Sequence, residues 1–320
     1  MFLGKLGDMT GFLLFEVLQQ KNGKKIGSPD DVMPSYLYQI HVHLLVESTL
    51  IIGDGRNGEK RMKMSGNTIL VTGGSSGIGF EFANQLLKLG NTVIITGRDP
   101  ARLDAAKKKL PTVHTFQSDA GDSQAIAALY AAVVEQFPKL NVLINNAGFM
   151  RKINLHTAGN DLEDLNSEIE TNLSGPIWMV QQFLTHLKAQ ESAAILNVSS
   201  GLAFVPLPIS PIYCAAKAGI HSYTLSLRAQ LKNTKVKVFE LAPPLTGTPL
   251  VDSFDPADLT GSKAMPVADM VGFAMKGMER DQFEIRPGQS NALKVMNRIA
   301  PNFIFGQLSK TVDHMLGKTK

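Results

Sequence analysis

The sequence predicts an α/β fold in which a doubly wound parallel sheet of about seven strands carries helices on both faces within a single domain. Three observations lead there. From Asn67 onward, short apolar runs alternate with helical patterns, as expected of strands that crossover helices bury on both sides. The first run ends in a glycine-rich turn that opens into a helix. A chain of 320 residues, 44% of them apolar, can bury one large core, and a single α/β domain with an extension suits that length better than two full domains.

The strands fall in order at residues 68–72, 92–96, 113–116, 142–145, 194–198 and 236–241, with a seventh at 283–286. Between the first two, Ile78, Phe82, Leu86 and Leu89 recur every three or four residues, so a helix lies against the sheet. Gly90 follows where a left-handed cap is wanted.

Residues 66–320 are expected to form this domain and residues 1–65 an N-terminal extension without a chemical motif. Gly-Asp-Gly-Arg-Asn-Gly-Glu-Lys-Arg from Gly53 reads as a flexible polar linker. Met62 and Met64 stand just ahead of the first strand, so the extension is either a disordered accessory segment or an artefact of start-codon choice. Asp8, Glu16 and the lack of a small-residue cleavage site speak against a secretory signal. Gln39, His41, His43 and Glu47 break the apolar run at 36–52, so no membrane span is expected.

The single cysteine, Cys214, has no disulfide partner, which points to a reducing, cytoplasmic compartment. Net charge is +4 with the basic residues scattered, which argues against a nucleic-acid partner. His41 and His43 are the only histidines at metal-like spacing. No metal is expected.

Thr72-Gly73-Gly74-Ser75-Ser76-Gly77-Ile78-Gly79 joins the first strand to the first helix. Glycines there let the backbone approach a pyrophosphate, and the helix N-terminus offers free N–H groups and partial positive charge. Gly73, Ser75, Ser76, Gly77, Ile78 and Gly79 are therefore the candidate phosphate cradle. The Gly-x-x-x-Gly-x-Gly spacing resembles the compact, single-domain branch of the short-chain dehydrogenase/reductase family, over roughly residues 67–288. That resemblance implies a Rossmann-type sheet and a nicotinamide dinucleotide. It also implies hydride transfer between that cofactor and a small-molecule carbonyl or secondary alcohol.

After the second strand, Thr96-Gly97-Arg98-Asp99 places glycine where an acidic residue would hold the ribose hydroxyls of NAD. The following Arg98 favours a 2′-phosphate, so NADP(H) is preferred and NAD(H) stays open. A solvated Arg98–Asp99 pair is the alternative use of that arginine. Asp119 and Ala120 follow the third strand, where the resemblance implies contact with adenine; an ordinary loop cap accounts for Asp119 equally. Asn145-Asn146-Ala147-Gly148 ends the fourth strand and matches the family element whose first Asn braces the sheet and whose backbone lies along the cofactor. Asn146, Ala147 and Gly148 are thus assigned to the cofactor.

Tyr213 and Lys217 lie four apart within Tyr-Cys-Ala-Ala-Lys, on one face of a helix. Ser200 precedes the tyrosine by thirteen residues, at a strand end. A free phenol with a pKa of about 10 ionises too rarely to shuttle protons at neutral pH. Lys217, with oxidised nicotinamide, is expected to favour the phenolate, while Ser200 polarises the substrate oxygen. The resemblance gives Asn172 the role of supporting a water in the proton relay, and Lys217 a hold on the nicotinamide ribose. Gly175 and Pro176 are expected to bend the helix near Asn172.

Pro243-Pro244-Leu245-Thr246-Gly247-Thr248 follows the sixth strand, where the family has Pro-Gly and then a threonine near the nicotinamide amide. Pro243, Thr246 and Thr248 are carried over, with Pro244 replacing the usual glycine and stiffening the turn. Leu-Ala-Pro-Pro, together with Ile285-Arg286-Pro287-Gly288-Gln289 and Ala300-Pro301, resembles a bacterial subset of the family, the DltE-like oxidoreductases.

The stretch between Ser200 and Tyr213 holds few groups able to fix a charged substrate, and Phe149, Met150, Val251, Phe254 and Met265 lie on segments that the family folds over it. A small lipophilic substrate is expected, although any one of these residues serves equally as core. Cys214 is expected to be a small buried apolar group. The resemblance further implies a homodimer or homotetramer. A regulatory or scaffold protein that binds NADP(H) on the same fold without turnover is the competing reading, and an epimerase on nucleotide sugars is disfavoured by the glycine spacing.

Overall fold

The structure, a computed structural model, describes residues 61–157, 162–251, 254–255, 258 and 263–317. The linker at Gly53 and the pair His41 and His43 lie outside the described residues, as does all of the extension except its last five residues. The chain divides into two units between Glu59 and Lys60, and only the second is described.

That unit runs β1 (Thr68–Val71), α1 (Gly77–Lys88), β2 (Thr92–Gly97), α2 (Pro100–Lys109), β3 (His114–Gln117), α3 (Ser123–Gln136) and β4 (Leu140–Asn145). It continues through α4 (Leu162–Ile169), a π-helical turn (Glu170–Ser174), α5 (Gly175–Ala189), β5 (Ala193–Val198) and a short 3-10 turn (Gly201–Ala203). Last come α6 (Pro211–Gln230), β6 (Val236–Leu241), α7 (Val267–Glu279), β7 (Glu284–Ile285), α8 (Gln289–Ile299) and α9 (Pro301–Met315).

The seven strands form one sheet in the order β3-β2-β1-β4-β5-β6-β7, and every described pairing is parallel. Strand order therefore reverses between β1 and β4, which opens a crevice at the carboxyl ends of the strands where such sheets bind ligands.

Burial on both faces follows from the alternation of side chains along each strand. In β1, Ile69 and Val71 join a core with Phe82 and Leu86 of α1 and Met270 of α7, while Leu70 points into the opposite core with Ile126, Phe183 and Leu227. Met62 is buried in the first of these cores, so packing begins ahead of residue 66. Gly90 has φ +77°, the left-handed cap its position called for.

Two local details differ from expectation. The irregularity beside Asn172 lies in the π turn ahead of Gly175, not in a Gly-Pro bend, and such a turn is itself a common cause of helix distortion. Gly175 instead makes room for a neighbour, since a Cβ there would sit 1.9 Å from the Ala120 carbonyl oxygen. Asp99 caps α2, accepting from the Ala101 and Arg102 N–H groups at 2.9 and 3.3 Å. It is therefore engaged away from Arg98.

Candidate active site

The glycine turn and the end of β4 are locked to each other. Asn146 Nδ2 donates to the carbonyls of Thr72 and Gly73 at 2.9 and 3.2 Å, while Thr72 Oγ1 accepts from the N–H groups of Asn146 and Ala147, both at 3.0 Å. The Asn146 side chain is thereby a brace of the turn, and Asn145 braces the sheet through its Nδ2 bond to Asn197 at 2.9 Å.

Gly79 permits the close approach that shapes the turn: a Cβ there would lie 2.4 Å from the Gly73 carbonyl oxygen. Gly77 has φ +54°, and a Cβ on it would meet only Thr248 and Pro249, at 3.4 Å and beyond. Ser76 makes no side-chain cap, so the first-turn N–H groups of α1 have no capping oxygen and are set out for an anion.

Of the residues carried over after β6, Thr248 faces this turn. Thr246 is buried and bonds its own loop through Oγ1 to the Pro244 carbonyl at 2.8 Å. Pro243 is buried beside the reacting groups, its carbonyl accepting from the Gly201 N–H at 2.9 Å.

At the adenosine side, Arg98 is exposed. It lies 3.9 Å from Asp119 Oδ2 and 5.8 Å from the Phe149 ring centre. Asp119 also caps its own loop, since Oδ1 accepts from the Gly121 N–H at 2.8 Å. The loop-cap reading of Asp119 is met by that bond. The Ser75 hydroxyl would be 3.3 Å from a Cβ on Gly97, so Ser75, Gly97 and Arg98 form one small polar corner.

The candidate catalytic groups converge at the ends of β4 and β5. Tyr213 is buried, with the Ser200 hydroxyl near enough to its phenol to favour ionisation. Ser200 Oγ also accepts from the Leu202 N–H at 3.1 Å. Lys217 Nζ lies 5.6 Å from the Tyr213 ring centre and donates to the Val198 carbonyl at 2.9 Å. A Cβ on Gly148 would sit 2.5 Å from Asn172 Oδ1 and 3.5 Å from Lys217 Nζ, so the Gly148 backbone, Asn172 and Lys217 share one spot. Asn172 Nδ2 donates to the carbonyls of Phe149 and Glu168, each at 2.9 Å, while its Oδ1 is buried with no protein partner.

The electrostatics differ from the sequence expectation. Burial pushes the Tyr213 phenol well above the ordinary range, against which the Ser200 hydroxyl works, and the charges of Cys214 and Glu168 push it further up. Lys217 is not among the groups that lower it. Burial also brings Lys217 down from 10.5 to about 8, because a desolvated ammonium is costly. Burial thus works against ionisation of the phenol. Cys214 is buried and pushed up to about 11 by burial, in keeping with a small core group.

Met150 and Phe254 pack with Leu207, Ile209, Tyr213 and Cys214, as the sequence suggested for the first two. Met265 packs instead against the core under α7, and Phe149 faces Arg98 and Arg151. Val251 is half-buried in the loop after β6. Sequence reasoning missed Leu308, Val312 and Met315 of α9, which close over this cluster. Their spacing of four and three residues marked an apolar helical stripe, but nothing in it named the surface it covers. It also missed Glu168, one turn ahead of Asn172 and fully buried. Among the described residues no group of three or more His, Cys, Asp or Glu is placed to hold a metal ion, and no helix is long and apolar enough to cross a membrane.

A doubly wound sheet with a glycine turn at its switch point and a Ser, Tyr and Lys set at the adjacent strand ends defines a class of oxidoreductase. The family model described as short chain dehydrogenase matches residues 67–258, and the chain belongs to the short-chain dehydrogenase/reductase family. It is similar to the uncharacterized oxidoreductase DltE of Bacillus subtilis (strain 168), 42% identical over 249 residues that cover 78% of this chain and 98% of that one.

A solved short-chain dehydrogenase from Burkholderia cenocepacia J2315, in complex with NADP, shares the fold with TM-score 0.67 and 24% identity, covering 77% of this chain and 99% of that one. A 3-ketoacyl-(acyl-carrier-protein) reductase from Brucella melitensis, complexed with NADH, gives TM-score 0.62 and 26% identity over 68% of this chain and 92% of that one.

Proposed function

We propose that the protein reduces the carbonyl of a small lipophilic substrate with NADPH, with Tyr213 as the proton donor. The observation that carries this reading is the convergence of Ser200, Tyr213, Lys217 and Asn172 beside Gly148, one strand from the glycine turn. The residues fit a nicotinamide dinucleotide: α1 presents an uncapped N-terminus, Gly77 leaves its side open toward Thr248, and Asn172 aims a buried, unpartnered oxygen into the site. When bound, that cofactor supplies or accepts the hydride.

The chain's own residues do the rest. Gly73, Ser75, Ser76, Gly77, Ile78 and Gly79 would hold the pyrophosphate by backbone N–H groups, with Thr248 beside Gly77. Arg98, exposed and only loosely paired with Asp119, would bind a 2′-phosphate beside Ser75, which favours NADP(H) over NAD(H). The Asp119 and Ala120 loop and the Asn146, Ala147 and Gly148 backbone flank the adenosine and ribose.

Ser200 donates to the substrate oxygen as negative charge develops on it. Tyr213, kept protonated by burial, delivers the proton to that oxygen. Lys217, protonated below about pH 8, stabilises the phenolate left behind. Asn172 Oδ1 would accept from a water through which Lys217, having handed its proton to that phenolate, regains one from solvent.

Met150, Leu207, Ile209 and Phe254, roofed by Leu308, Val312 and Met315, favour an apolar substrate body. A homodimer or homotetramer in the cytoplasm completes the proposal; the lone buried Cys214 agrees with a reducing compartment, and exposed Leu162 on α4 and Leu225 on α6 offer an apolar face to a second copy.

A panel of lipophilic ketones and aldehydes, followed by the absorbance of NADPH and NADH in parallel, tests the reading. Oxidation of NADPH in preference to NADH supports it. Tight NADPH binding with no turnover across the panel would favour the regulatory alternative.

A further inference from the structure

Glu168 lies outside the set of reacting groups, yet it is a fully buried carboxylate one helical turn from Asn172. Burying a charge without partners is costly, so its surroundings need an account. Arg151, on the loop after β4, answers it twice: its backbone N–H donates to Oε1 at 3.2 Å and its Nε reaches Oε2 at 3.4 Å. The guanidinium goes on to the Asp164 carboxylate and donates to the Asp164 carbonyl at 2.6 Å, closing a clasp between that loop and α4.

This clasp bears on the active site through Asn172. Two bonds fix its amide: one goes to the Glu168 carbonyl, and the other to the carbonyl of Phe149, two residues before Arg151 on the clasped loop. With Nδ2 committed in this way, Oδ1 is left pointing at Gly148. We propose that Glu168 and Arg151 are positioning residues for the proton-transfer end of the site, holding the Asn172 amide in its working orientation and setting the charge that the Tyr213 phenol faces. The proposal rests on the reading of Tyr213 as proton donor.

The charged and titratable groups around Glu168 are Arg151 from the loop, Asp164 from its own helix, and Tyr213 and Cys214 from α6. Burial raises the Glu168 carboxyl and the Arg151 contacts pull it back down. As an anion it disfavours a second negative charge on Tyr213. Its charge therefore opposes ionisation of the phenol that alcohol oxidation requires.

Three variants test this. In a crystal structure of Arg151→Met, which needs no turnover to read, the Phe149 carbonyl should leave hydrogen-bond range of Asn172 Nδ2, whereas Glu168→Gln, still able to accept from the Arg151 N–H, should keep it. With NADP⁺ and the alcohol matching the best ketone of the panel, the rising limb of oxidation in Glu168→Gln should move to lower pH by about half a unit, or roughly threefold in rate on that limb. A purely structural clasp would not move that limb. An unshifted limb together with both Asn172 bonds intact in Arg151→Met overturns the proposal, provided Tyr213→Phe is inactive. Full turnover by Tyr213→Phe would instead defeat the underlying reading of the tyrosine.

Discussion

At the β1 turn, geometry is carried by backbone. Gly79 stands against the Gly73 carbonyl, Gly77 adopts a positive φ, and Asn146 and Thr72 tie the turn to β4 through main-chain partners. Around Tyr213 the walls are side chains drawn from widely separated segments: Met150 after β4, Leu207 and Ile209 ahead of α6, Phe254 after β6, and Leu308, Val312 and Met315 on α9. A backbone site tolerates few sequences, because one added carbon collides with a carbonyl. A side-chain site tolerates many, because apolar groups of similar volume replace one another at small cost. On the proposed reading, one end would hold an invariant group and the other would be adaptable to a substrate.

Four variants sharpen or break that contrast. The largest effect is expected where the two ends meet. Lys217→Met should lower turnover by about 10²–10⁴-fold. It should also change the pH dependence of stability, because Lys217 falls from 10.5 unfolded to about 8 folded. Between those values the unfolded state binds the extra proton, so the unmutated protein gains stability relative to the variant as pH rises from about 8 to 10.5, by on the order of 3 kcal/mol, and denaturant unfolding at pH 7 and pH 10 checks this.

Gly79→Ala comes next: the methyl group should push the turn from the Gly73 carbonyl and weaken NADPH binding about 100-fold by fluorescence titration, since two tenfold steps equal about 2.8 kcal/mol of displaced contacts. Arg98→Ala should weaken NADPH about 10- to 100-fold and leave NADH unchanged, reflecting loss of a charge-assisted bond to one phosphate. Smallest is Val312→Ala, which should raise KM for an apolar ketone about 3- to 10-fold with the NADPH Kd untouched. Equal effects of Gly79→Ala and Val312→Ala on cofactor binding would erase the distinction between the two ends.

The same contrast decides what could be read from the chain. All seven strands were legible, with β6 at its full extent and most others within a residue or two, because burial on both faces leaves continuous apolar runs. The glycine turn and the Tyr213–Lys217 spacing were legible because each depends on local backbone or on helical periodicity, whereas Asn145-Asn146-Ala147-Gly148 was legible only through the family resemblance.

The α9 roof was not, since its apolar stripe gains meaning only once the chain has brought it to the β4 and β6 loops. Glu168 was hidden for a related reason: an acidic residue on a helix reads as solvated until the fold buries it beside Arg151. For Tyr213, spacing shows that Lys217 is near but not how thoroughly both are removed from water. Sequence proximity gives the sign of a charge interaction, while burial decides whether it prevails.

Tyr213→Phe, measured for both binding and turnover, is the sharpest test of the proton-donor assignment. NADPH affinity by fluorescence should stay within about twofold, since the removed hydroxyl faces Ser200 and not the phosphate cradle. Turnover of the best ketone should fall by at least about 10²-fold, the scale of general acid catalysis. A variant that binds NADPH normally and reduces that ketone at the unmutated rate would contradict the assignment.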